Sequence, residues 1–105
     1  LNATRTDEVF GALADPNRRR IIERLAAGGP ATATALATDL GVSRQGAAKH
    51  LANLADAGIV RSAREGREVR YELVEMSLEP GVRWIAGVGA RWDRSLARLK
   101  EHLEG

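Results

Sequence analysis

The sequence predicts a mainly α-helical domain closed by a β-hairpin, in the order α-α-α-α-β-β-α. Three observations predict it. Apolar residues recur at steps of three and four from Val9 to Leu54 and again from Ile85 to Leu103, the period of helices with one buried face. Between these stretches Val69, Tyr71 and Leu73 alternate with Arg70 and Glu72, the period of a strand. Breaks at Asp15-Pro16, Gly28-Gly29-Pro30, Gly41 and Gly58 divide the first stretch into four helices.

The first helix is expected to start at Thr6 as cap, with Asp7 and Glu8 complementing the helix dipole and Val9, Phe10 and Leu13 on its apolar side. Asp15 then caps a second helix, and Pro16 suits its first position because the N–H that proline lacks has no partner there. Ile21, Ile22 and Leu25 form the buried stripe of this helix. Arg18, Arg19 and Arg20 follow one another and cannot share a face, so at least one is expected to pack or pair within the protein. Thr32 caps a short third helix with Leu36, Ala37 and Leu40 inward, and Gly41 stops it. Ser43 caps a fourth helix that runs to about Ala57. Two helices joined through Leu40-Gly41-Val42-Ser43 have the spacing of a helix-turn-helix.

Past Gly58 the period changes. Ile59-Val60 opens one strand and Val69-Tyr71-Leu73 marks a second, with Arg64-Glu65-Gly66-Arg67 as the turn between them. A basic hairpin directly after a helix-turn-helix is a wing. Glu79-Pro80-Gly81 then leads into a last helix whose stripe is Ile85, Val88, Trp92, Leu96, Leu99 and Leu103. That stripe, widened by Trp84, exceeds what a solvated terminal helix needs, and a second copy of the chain would cover it. Gly87 and Gly89 lower helix propensity there, and close backbone approach at such an interface is one reason for them. At 105 residues a single domain, 1–105, is expected: a recognition helix over 43–57, a wing over 59–73 and a dimerisation helix over 81–104.

Composition narrows the chemistry. With no cysteine, disulfides, thiol nucleophiles and thiolate metal sites are excluded. His50 and His102 are the only histidines and lie far apart in sequence. No helical ligand pair and no phosphate-cradling glycine loop accompanies them, so neither a metal site nor a cofactor is expected, and no catalytic residue can be named. No apolar run approaches the roughly 20 residues that span a bilayer, and no signal segment opens the chain; a cytoplasmic protein without a membrane partner is expected. Leu1 in place of Met leads us to expect further residues before it. Net charge is only +2, yet all basic residues except Lys49 and Lys100 are arginine, whose rigid fork of donors suits phosphate and guanine.

The partner these features point to is double-stranded DNA. The second helix of a helix-turn-helix lies in the major groove, with its first residues at base edges. Here Ala47, Leu51 and Leu54 form its inward side, while Arg44, Gln45, Ala48 and Lys49 face away. Arginine can bind guanine O6 and N7, and glutamine adenine N6 and N7. Small residues at Gly46, Ala47 and Ala48 would let the backbone sit deep, and no acid occurs between Ser43 and Ala55. Ser43 reads as a cap and as a phosphate ligand, two compatible roles. His50 reads as a packed residue or a phosphate contact, and Arg64 and Arg67 as wing contacts to the minor groove or phosphate.

The chain resembles the ArsR/SmtB family of bacterial winged-helix repressors in the stretches ALADPNRRRIIERL, ALATDLGVSRQGAAKHLANLADAGIV and VRSAREGREVRYEL. The resemblance implies a homodimer held by the first and last helices, which places Val9 and Phe10 at the interface with Trp84, Ile85, Val88, Trp92, Leu96, Leu99 and Leu103. It also implies an operator near the regulated promoter and release of DNA on a signal. Arsenic-sensing relatives carry Cys-x-Cys where Thr32 and Thr34 stand, and zinc-sensing relatives a ligand set on the last helix where only Asp93, Glu101 and His102 occur. The tryptophan-bearing last helix looks more like the metal-independent members. The expected function is a sequence-specific repressor of an inverted-repeat operator. Two other readings stay open: a regulator with a small-molecule site at the dimer interface beside Trp84 and Trp92, and a winged-helix protein-interaction module, which would lack salt-dependent DNA binding.

Overall fold

A computed structural model describes residues 2–104, with side chains from Arg5 onward. The elements are α1 (Asn2–Leu13), α2 (Pro16–Gly28), β1 (Ala31–Thr32), α3 (Ala33–Leu40), α4 (Arg44–Asp56), β2 (Val60–Glu65), β3 (Glu68–Leu73) and α5 (Glu79–Glu104). Two boundaries and one strand differ from expectation. Helix α1 begins at Asn2, so Thr6 lies inside it rather than at its cap; Ala3 and Arg5 are good helix formers, and nothing before Thr6 stops the helix. Helix α5 begins at Glu79, because Pro80 is tolerated in a first turn. Strand β1 has no counterpart in the sequence reading.

Local chemistry explains several of the helix ends. The Asp15 carboxylate accepts hydrogen bonds from the N–H of Asn17 (2.8 Å) and Arg18 (3.2 Å), opening α2. Arg18 reaches back to the end of α1, donating to the carbonyls of Ala12 (2.9 Å) and Gly11 (3.0 Å), and Arg19 donates to that of Leu13. The arginine run therefore fixes the α1–α2 corner by satisfying carbonyls that a helix end leaves unpaired. Arg20 turns the other way, to Asn17. Thr32 Oγ1 caps α3 through the Ala35 N–H, and Ser43 Oγ caps α4 through the Gly46 N–H (2.9 Å). Between them Gly41 takes the left-handed conformation, φ 70° and ψ 30°, that ends α3 and aims the chain into α4.

Helices α2, α3 and α4 enclose an apolar core. Ile21, Leu36, Leu51, Leu54 and Ile59 are fully buried, and Ala12, Ile22, Leu25, Ala31, Leu40 and Val60 complete the cluster. Each buried valine, leucine or isoleucine side chain contributes about 1.5–3 kcal/mol by leaving water. Among the described residues no polar or charged side chain is buried, so any binding chemistry lies at the surface. The sheet is antiparallel in the order β1-β3-β2, with Ala31 opposite Tyr71 at its inner edge.

Near its start helix α5 packs against α1. Gly81 is buried where α1 crosses it: a Cβ there would lie 2.9 Å from Val9 Cγ1. Phe10 and Trp84 meet edge to face at 5.5 Å and 78°. Val9 is itself buried. Val9, expected to face a second subunit, here holds α1 against α5 within one chain. Beyond Gly81 no residue of α5 is buried, and the molecule extends 68 Å along its longest axis.

Candidate nucleic-acid interface

The side of α4 that meets the core is Ala47, Leu51 and Leu54. Arg44, Gln45, Ala48 and Lys49 are exposed, as their spacing requires. Ala47 is fully buried and does not belong to the outward face. Gly46 serves the cap, since a Cβ would come within 3.0 Å of Ser43 Oγ. Ala48 alone keeps the exposed face low. His50 is half-buried, and its charge acts on the Asp15 carboxyl at the start of α2. Burial favours the protonated form of that carboxyl. Hydrogen bonds from the Arg18 and Asn17 N–H groups, then the charges of His50 and Arg18, outweigh this and hold it below the usual aspartate range.

The wing turns through Gly66-Arg67, with Gly66 at φ 61° as the first residue of a two-residue hairpin loop. Register assigns its charges to faces. Residues directly opposite share a face, so Arg64 lies with Val69, Ser62 and Tyr71, while Arg61, Glu65, Glu68, Arg70 and Glu72 lie on the other. Arg61 binds Glu72 at 2.7 Å, and Arg70 binds Glu65 at 2.9 Å and Glu68 at 3.4 Å. The two arginines expected to contact a ligand, Arg64 and Arg67, are in no ion pair among the described residues, although Arg64 Nε donates weakly to the Gly66 carbonyl at 3.4 Å.

A cleft of about 810 Å³ separates the wing from the helices. Arg44, Gln45 and Ala48 of α4 line one side, Arg67, Glu68, Val69 and Tyr71 the other, and Thr32 to Ala35 the floor. Two arginines from different elements thus border one open cleft, and α3 begins there, adding the positive end of its dipole. The Thr32–Ala35 segment and Tyr71 were not anticipated. Thr34, exposed beside the Thr32 cap, was the available signal. Among the described residues, no three His, Asp or Glu side chains gather as a metal set. Nor is any helix there long and apolar enough to cross a membrane.

Known proteins share this fold. Residues 13–63 match a helix-turn-helix domain family. The chain is 30% identical over 90 residues to the transcriptional repressor SdpR of Bacillus subtilis, covering 86% of this chain and 99% of that protein. An ArsR-like transcriptional regulator from Rhodococcus sp. RHA1 superposes with a TM-score of 0.77 at 40% identity, over 94% of this chain and 92% of that one. The homodimeric winged helix-turn-helix DNA-binding domain Mb0332 of Mycobacterium bovis superposes with a TM-score of 0.65 at 29% identity, over 91% and 85%. With relatives matched along nearly their whole length, the chain belongs to the ArsR family of winged helix-turn-helix transcriptional regulators, which are DNA-binding proteins.

Proposed function

We propose that the protein is a homodimeric repressor in the cytoplasm that binds an inverted-repeat operator and has no metal-sensing site. One observation carries the DNA contact: the exposed start of α4 and the tip of the wing border a single cleft, with Arg44 and Arg67 on opposite sides. In this reading residues 43–57 read the major groove, 59–73 form the wing and 81–104 pair two subunits. Ser43 and Lys49 hold phosphate, and Arg44 and Gln45 reach base edges. The repressor role is supported by the similarity to a protein named a transcriptional repressor, and the dimer by the similarity to one titled homodimeric. Support for a metal-independent regulator comes from Thr32 and Thr34, which offer no thiolate.

The test pairs Arg44→Ala with Lys49→Ala on operator fragments selected from the source genome. Loss of Arg44 should weaken the matched operator by about 1–3 kcal/mol and relax preference at one position. Loss of Lys49 should weaken all sequences alike and reduce the salt slope by about one. Unchanged affinity in both variants refutes the assigned face.

A further inference from the structure

The wing is not uniformly basic. Around its four arginines stand Glu65, Glu68 and Glu72, and three carboxylates close to a polyanion oppose its approach. Glu65 and Glu68 are moreover directly opposite one another across the hairpin, a like-charge pair that disfavours the strands' closure. Arg70, two residues along on the same face, bridges both. Its Nε lies 2.9 Å from Glu65 Oε2 and its Nη2 3.4 Å from Glu68 Oε1. Arg64 projects from the opposite face, with Tyr71, and Arg67 occupies the turn.

We propose that Arg70 is a positioning residue for DNA binding: by neutralising Glu65 and Glu68, it leaves Arg64 and Arg67 to meet phosphate unopposed. This rests on the DNA-binding reading above. Arg70 itself makes no DNA contact. Exposed ion pairs contribute little to stability, so the arrangement acts on affinity and scarcely on folding.

Four proteins test it: wild type, Arg70→Gln, Glu65→Gln/Glu68→Gln, and the triple variant. Each is titrated with a labelled mixed-sequence DNA duplex over a range of salt. Arg70→Gln should bind about 5- to 20-fold more weakly at low salt, with a shallower salt dependence. The triple variant should match Glu65→Gln/Glu68→Gln to within about twofold, because without the carboxylates Arg70 has nothing to hold. Melting temperatures of all four should agree within about 3 °C, since only exposed pairs are lost.

A triple variant weaker than the Glu double variant by the factor that separates Arg70→Gln from wild type would show that Arg70 touches phosphate itself, and would overturn the proposal. So would an Arg70→Gln protein that binds as wild type does. If the wild-type chain binds neither this duplex nor genome-selected fragments, the DNA-binding reading fails first and takes this inference with it.

Discussion

Asp15 shows how much one side chain can join. It caps α2, and the positive charges of Arg18 and His50 act on it, so it links the α1–α2 corner to α4. Its carboxyl titrates below its ordinary value of 3.8. The folded state therefore favours the ionised form, and the resulting stability is present above that ordinary value. It is lost as pH falls through the lower folded value. Asp15→Asn keeps a capping oxygen but removes the charge. Thermal melts followed by circular dichroism should show wild type above Asp15→Asn at neutral pH, with the gap closing as pH falls below the ordinary aspartate range. A gap that stays constant into strong acid would mean that charge plays no part.

At the scale of elements, the contact of α1 with α5 turns on the absence of a side chain at Gly81. Replacing Gly81 by Leu would push α5 from Val9 and part Phe10 from Trp84. Overpacking of this kind typically costs about 1–3 kcal/mol. Denaturant titration should show that loss, and Trp84 emission should shift as its contact with Phe10 opens. A Gly81→Leu protein with wild-type stability and emission would mean the crossing adapts freely.

The helices were legible because their ends are local. Asp15, Thr32, Gly41 and Ser43 act on groups within four residues of themselves. Strand β1 was not legible, since two residues have no period and its partner Tyr71 is remote in sequence. The start of α1 was misplaced because Thr6, a cap by residue type, had a competent helical segment before it. The outward face of α4 followed from spacing alone. The wing's division into a basic tip and a paired acidic face did not, because alternation fixes faces within one strand while the register across strands depends on the two-residue turn.

At the scale of the molecule, α5 is a helix of about 39 Å at 1.5 Å per residue, and Gly81 is its one buried residue among those described. Trp84, Ile85, Trp92, Leu99 and Leu103 are more than half exposed, and Val88 and Leu96 nearly so. Gly87 and Gly89 have open space around them, which suits the close approach of a second backbone. Leu96→Glu and Leu99→Glu together should yield monomer by sedimentation equilibrium and lower operator affinity far more than a wing substitution does. A wild-type chain that is monomeric at micromolar concentration and still binds an inverted repeat tightly would sink the dimer.

The exposed apolar face of α5 also bears on gene dosage. If the binding-competent species is a pair of chains, its concentration in dilute solution rises with the square of the subunit concentration. A twofold change in synthesis then alters the amount of competent regulator up to about fourfold. Operator occupancy would respond to expression level more steeply than any single recognition helix allows. That steepness would come from a helix far from the DNA.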